Sequence, residues 1–224
     1  VLNDMMCHST ELVRFLLTEP GARRSTLKPR RITGHIASLK WSLPEYVEKL
    51  KARMGAEVDY AQQPAEDFAS VMIEYETAEG QRVLGEATTS WSYVGAGLRL
   101  SAELLGPEYS MSWNTLDASL KLFFSREVHG EAGEDLVEKQ NAEMGLMPVV
   151  ADEPAAYGYE AEDRHMVSAF LEGQKPMLTF EDGLEVVRIL MAAYMSAEQG
   201  KTLEFAPEGL DTFVPAVAQG TWKP

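Results

Sequence analysis

Between residues 67 and 124 the apolar side chains recur at every second position, whereas on either side of that stretch they recur at every third or fourth. A change of period from 3.6 to 2 and back marks strands set between helices, which limits the folds open to the chain. In FASVMIEYE, Ala69, Val71, Ile73 and Tyr75 share one face, and the turn segment TAEGQ leads into RVLGEATTSW, so the two read as a hairpin. After the glycine-rich bend YVGAG, the stretch LRLSAELLG sets Leu98, Leu100, Ala102 and Leu104 against Arg99, Ser101 and Glu103. Gly106-Pro107 makes another turn, and EYSMSWN and SLKLFFSR supply further strands. Consecutive strands joined by tight turns predict an antiparallel meander.

The flanks read as helix. Residues 4 to 17 carry Met5, Leu12, Val13, Leu16 and Leu17 as an apolar stripe, with Asn3 or Asp4 as the cap and Pro20-Gly21 as the stop. Residues 30 to 41 look like a strand, and LPEYVEKLKARMG forms a helix from Pro44 to Gly55, with proline first and glycine last. Near the C-terminus, EAEDRHMVSAFLEG has the stripe Met166, Val167, Phe170 and Leu171, closed by Gly173. The following helix opens on a capping box, Thr179 to Asp182, and closes on Gly200; its Met191 and Met195 fall among Leu190 and Tyr194 as core residues. Both terminal helices are expected to face a core. The fold class that follows is α+β: an open, largely antiparallel β-sheet with helices packed on one face, in a single domain over 1–224 with no internal repeat.

Composition excludes several functions. A chain of 224 residues with 45% apolar and 25% charged side chains supports a substantial core, and its formal charge of -15 opposes binding to nucleic acid. Arg23, Arg24, Lys28, Arg30 and Arg31 form the one basic cluster, which reads as a solvated loop and strand edge, the alternative being a contact to a cofactor phosphate or an acidic partner. Cys7 is the single cysteine, which precludes an intrachain disulfide and points to a reducing, cytoplasmic setting; it reads as a small packing residue. His8, His35, His129 and His165 are scattered without zinc-ligand spacing, so no metal site is expected. No apolar run is long enough to span a bilayer, and no charged-then-apolar leader precedes the fold. Neither GxGxxG nor GxxxxGK[ST] is present, nor GxSxG, nor HExxH, and Gly95 and Gly97 sit between strands as a bend.

One pair invites chemistry. Asp4 and His8, at i and i+4, lie on one helical face, so a carboxylate neighbours an imidazole of the type that titrates near neutral pH. Such a pair handles protons, or it merely supports the start of a helix; spacing alone leaves both open.

The order of parts resembles the C-terminal domain of the Gfo/Idh/MocA family of nicotinamide-dependent oxidoreductases. The resemblance is carried by LNDMMCHSTELVRFLL, EDFASVMIEYE, GEATTSWSYVGAGLRLSAELLG, and the closing helix pair with its G-x-x-P, E-D-G-L and S-A-E-x-G cadence. It implies that Asp4 and His8 occupy the family's DxxxH positions, with Asn3 beside them. It also implies an N-terminal Rossmann domain that binds NAD or NADP and carries a catalytic lysine, neither of which is in this sequence, so the chain reads as a fragment without dehydrogenase activity of its own. The substrate class implied is a sugar or cyclitol whose secondary alcohol gives up hydride, with His8 as base and Asp4 orienting it. Tyr159 and His165 are expected substrate contacts because they flank the helix start after the 145–158 loop, although ordinary packing suits them too; Trp91 and Trp113 could stack on a sugar ring or serve the core. A homo-oligomer formed through the open sheet face is the partner the resemblance implies. Two other functions suit the same scaffold: a nicotinamide-dependent glycosidase, or a non-catalytic sugar-binding or assembly module. The helix at Pro44 to Met54 and the segment VEKQNAEMGLMP at 137 to 148 depart from smaller family members.

Overall fold

The computed structural model describes residues 1–55, 57–92, 100–115, 121–124, 145–148 and 152–224. The bend at 93–97, Leu98, Arg99, His129 and residues 137–144 lie outside them. The chain forms two compact units, Val1–Ser92 with Met177–Pro224, and Tyr93–Pro176.

The first unit begins with helix α1, Leu2–Leu17, followed by strand β1, Lys28–Ala37, helix α2, Pro44–Met54, and the hairpin strands β2, Phe68–Glu76, and β3, Arg82–Ser90. After the second unit has intervened, helix α5, Phe180–Gln199, and the short strand β8, Leu203–Glu204, complete it. The sheet order is β3-β2-β1-β8 with every ladder antiparallel. Register sets its two faces apart: Ile32 lies opposite Ile73 and Gly34 opposite Val71, while Ile73 and Val71 lie opposite Gly85 and Ala87. All of these are buried, and Ala69 and Tyr75 of β2 join them as the alternation predicts. Of the intervening residues, Met72, His35, Leu84 and Glu86 are exposed.

Both long helices lie on the buried face. A Cβ placed on Gly34 would strike the main chain of Ala193 in α5, and one on Gly85 would strike Val13 of α1 with Leu17 nearby. Glycine at these two positions lets helix and strand approach closely. Helix α5 starts with the expected capping box: the Thr179 main-chain N–H donates to Asp182 Oδ2 at 2.9 Å and the Asp182 N–H donates to Thr179 Oγ1 at 3.4 Å. It ends at Gly200 in the left-handed region, φ 60°. Its inner side buries Val186, Ile189, Leu190 and the run Ala192 to Ser196, including Met195, while Met191 packs against the core's edge.

Helix α1 differs from its sequence reading in two ways. It starts at Leu2, so Asn3 and Asp4 are inside the helix and neither caps it. Its fully buried line is Leu2, Met6, Thr10 and Arg14; of the expected stripe Val13 and Leu17 pack against the core, whereas Leu12 is 39% exposed. Arg14 tolerates burial because its guanidinium donates to Glu11 Oε2 at 2.8 Å and to the Asp182 carbonyl at 3.1 Å. Glu11 also accepts from Arg24 at 3.0 Å, so one carboxylate serves two buried cations. A purely apolar pattern overlooks a buried line built partly from paired polar groups.

Strand β1 stops at Ala37 rather than running to Trp41. The N–H groups of Leu39, Lys40 and Trp41 turn onto the Asp67 carboxylate at 2.8, 2.8 and 2.7 Å. Three donors on one buried carboxylate hold the turn and take those residues out of the ladder.

In the second unit, strands β4, Ser101–Leu105, and β5, Ser110–Asn114, form one two-stranded ladder, and β6, Lys121–Phe124, and β7, Gly145–Pro148, form another. The short helix α3, Glu153–Ala156, precedes α4, Tyr159–Leu171. The single meander therefore divides: β2 and β3 pair as a hairpin, but the place beside β2 on its other side goes to β1. Alternation tells which face a residue occupies and says nothing about which strand becomes its neighbour. In α4 Ala169 is buried, whereas Val167, Phe170 and Leu171 of the expected core stripe are exposed among the described residues. A stripe at helical spacing marks a surface to be covered without specifying what covers it.

Candidate functional site

Asn3, Asp4 and His8 all project from the exposed side of α1, whose opposite side carries Leu2 and Met6 into the core. One helical turn separates Asp4 from His8. Both side chains are open to solvent, and they make no hydrogen bond or ion pair with each other among the described residues. Cys7, half-buried, donates its thiol to the Asp4 carbonyl at 3.2 Å and packs against the core's edge.

The first residues of α1 in this chain are contacted from elsewhere in the sequence. Glu66, 2% exposed and just ahead of β2, accepts from the Leu2 N–H at 3.1 Å. The same oxygen accepts from the Tyr194 hydroxyl of α5 at 2.5 Å. Burial and the Glu66 carboxylate hold the Tyr194 phenol in its protonated, donating form well above its ordinary range. Tyr60 is also pushed up, by burial and by the charge of Glu66, and its ring stacks on Trp41 with centroids 4.7 Å apart. Neighbouring Asp67 holds the turn that carries Trp41, and its own carbonyl accepts from Ser90 Oγ at 2.7 Å. The adjacent acids Glu66 and Asp67 thus tie the first turn of α1 and the Trp41 turn to one end of β2. Sequence reasoning overlooked Glu66, Asp67 and Tyr194; the available signal was two acids directly before an apolar alternation.

Tyr159 and His165 lie on α4 in the second unit, both exposed. His165, Arg164, Glu160 and Ser168 line a shallow open groove beside Ala155 of α3. Trp91 and Trp113 are 48% and 51% exposed, so neither serves as a core residue in the chain.

The basic cluster is largely neutralised. Arg24 is buried against Glu11 and lies over the Phe15 ring, Arg30 pairs with Glu76 at 2.7 Å, and Arg31 pairs with Glu74 at 2.9 Å and Glu204 at 3.2 Å. With Arg24, Arg30 and Arg31 so engaged, and with no glycine-rich strand-to-helix turn in the sequence, the described residues do not fit the pyrophosphate of a dinucleotide. Among the described residues no group of His, Cys, Asp and Glu is arranged to hold a metal ion, and no helix is long and apolar enough to cross a membrane.

An open antiparallel sheet with two helices on one face defines an α+β domain, and an exposed carboxylate and imidazole stand on the outer side of its first helix. The family model described as the oxidoreductase family, C-terminal alpha/beta domain, matches residues 1–205, and the chain belongs to that Gfo/Idh/MocA family. Among solved structures it is similar to GenD2 from gentamicin A biosynthesis, determined in complex with NAD, with 25% identity and a TM-score of 0.63 over 92% of this chain and 48% of that one. An oxidoreductase domain protein from Kribbella flavida is 19% identical with a TM-score of 0.57, over 92% of this chain and 50% of its own. A myo-inositol dehydrogenase from Corynebacterium glutamicum is 19% identical with a TM-score of 0.53, over 92% of this chain and 49% of its own. These last two likenesses establish the fold. The chain thus spans about half the length of the solved structures it matches. No curated protein matches it in sequence.

Proposed function

We propose that this chain is the alcohol-binding side of an NAD- or NADP-dependent dehydrogenase acting on a secondary alcohol of a sugar or cyclitol, in the reducing cytoplasm. The observation that carries the reading is the exposed Asp4-His8 pair on a helix whose other side is locked into the core. Family membership and the likeness to a structure solved with NAD support the nicotinamide. Because the residues of this chain do not fit the dinucleotide, its grip belongs to another part of the enzyme, and this chain's share is the proton. A ring nitrogen of His8 takes the alcohol's hydroxyl proton, and Asp4 orients the imidazole and favours the imidazolium that results. Asn3, one position before Asp4, is placed to hydrogen-bond a neighbouring hydroxyl. The open sheet face, with Met72 and Leu84 exposed, is where copies of the chain associate.

The test is His8→Ala in a protein that joins this chain to its nucleotide-binding half, followed by absorbance of the reduced nicotinamide. A base of this kind contributes roughly 10²–10⁴-fold, so turnover falls on that scale while cofactor affinity stays nearly constant. Unaltered turnover removes His8 from the mechanism. Stoichiometric production of reduced nicotinamide distinguishes the dehydrogenase from a glycosidase that regenerates its cofactor within each cycle.

A further inference from the structure

We propose that the interior of the first unit binds one water molecule between α1 and β2, beside the start of α5, held by the Thr10 hydroxyl, the Arg14 Nε–H and the Tyr75 hydroxyl. Each of these three polar atoms is enclosed and has no hydrogen-bond partner among the described residues, and the residues that carry them are 0%, 1% and 0% exposed. A buried polar atom left unmatched costs its whole desolvation, which is why such atoms in folded proteins are almost always met by protein or by ordered water. One orphan can be tolerated; three on neighbouring side chains define a site. It is separate from Asp4 and His8, which project from the exposed side of α1.

Geometry brings the three side chains together. Thr10 and Arg14 stand one turn apart on the buried line of α1, so their side chains are neighbours. Tyr75 meets the same stretch of helix from the sheet: a Cβ on Gly85 would strike Val13 Cγ1 and stand 3.2 Å from Tyr75 Cε2, which puts the hydroxyl end of the ring beside Val13. Nη1 of Arg14 donates to Glu11 and to the Asp182 carbonyl, and Nη2 is 4.0 Å from the Asp182 carboxylate, so Nε is the donor still to be met. Burial raises the Tyr75 phenol far above its ordinary range, with Arg14 opposing and Glu11 and Glu185 adding, and the hydroxyl keeps its proton. Charge then selects the ligand. Arg14 and Arg24 are matched by Glu11, Asp182 and Glu185, which leaves no excess positive charge for an anion, and the Arg14 Nε–H offers nothing to a cation. Water suits the set, because each hydroxyl both donates and accepts and a buried water is held by two to four polar partners.

The sign of a stability change tests this. With water at the site, Tyr75→Phe removes one of its partners and should lower the folding equilibrium constant of the 224-residue chain about tenfold in urea unfolding. A hydroxyl with no partner is better absent, and the same substitution would then raise that constant. Thr10→Val, which keeps the shape, should act in the same direction, and the double variant should lose less than the product of the two because both disturb one water. A rise or no change in either single variant, or strict additivity of the two, overturns the proposal. A direct reading covers the case in which a variant does not fold. In the unsubstituted chain, a crystal structure fine enough to place solvent should show one peak within about 3.2 Å of Thr10 Oγ1, Arg14 Nε and Tyr75 Oη, and protein atoms filling that position overturn the proposal.

Discussion

Gly34 of β1 lies against the main chain of Ala193 in α5, so closely that a Cβ at Gly34 would collide with the Ala193 carbonyl oxygen and sit 3.0 Å from its Cα. The Gly34 N–H also donates to Ser196 Oγ at 2.9 Å, one turn further along the same helix. Strand and helix therefore meet backbone to backbone at the centre of the core. Because the obstruction is main chain and cannot rotate aside, Gly34→Ala should destabilise the fold by about 1–3 kcal/mol, the cost of overpacking. Urea unfolding with an unchanged m-value would show the loss as a lower midpoint.

Asp67 predicts an acid limb. Burial pushes its carboxyl up, but the N–H groups of Leu39, Trp41 and Lys40 outweigh burial and hold it below the usual carboxylate range. A carboxylate whose folded value is depressed contributes stability that is fully present above its unfolded value of 3.8 and is lost as pH falls through the folded one. Stability measured against pH should therefore drop below about pH 4, and Asp67→Asn should flatten that drop while lowering stability at neutral pH. An acid limb that is the same in both proteins would contradict this.

Glu11 serves two cations that are 1% and 7% exposed, Arg14 and Arg24. Its removal takes the paired carboxylate from buried Arg24 and leaves Arg14 with Asp182 at 4.0 Å, so Glu11→Ala should cost about 3–5 kcal/mol, well beyond the value of a surface pair. A double-mutant cycle with Arg24→Met checks the assignment: the coupling between the two positions should exceed about 1 kcal/mol.

Asp4 is predicted to act through His8 and the substrate rather than through the fold. Its side chain is exposed and makes no cap, so Asp4→Asn should leave Tm within about 1 °C while lowering turnover in the joined enzyme. Thermal melts and kcat together decide this. A large fall in Tm would place Asp4 in the structure instead.

What was legible in the sequence divides along physical lines. Alternation of Ala69, Val71, Ile73 and Tyr75, the Pro44-to-Gly55 helix and the Thr179–Asp182 box depend on neighbours within a few positions, and the structure shows each. The Asp4-His8 spacing is local too, because a helix brings i and i+4 together wherever it lies. The buried line of α1 was not legible, since Arg14 is buried only by virtue of Glu11 and the distant Asp182 carbonyl. Nor was the exposure of α4's stripe, which depends on what else is present to cover it.

The sequence alone determined where the long helices and the β2–β3 hairpin lie, which face of those strands is apolar, and that an acid and an imidazole share one helical face, but 145–158 reads as a loop where the structure has β7 and α3. Only the tertiary structure decided that β1 takes the place beside β2, that Glu66 accepts from both Leu2 of α1 and Tyr194 of α5, and that Asp67 ends β1 at Ala37. The reason is the range of the forces involved: periodicity and capping act over one or two turns, whereas strand order and carboxylate anchoring join residues far apart in the chain, and are settled when the core excludes water and each buried donor must find an acceptor.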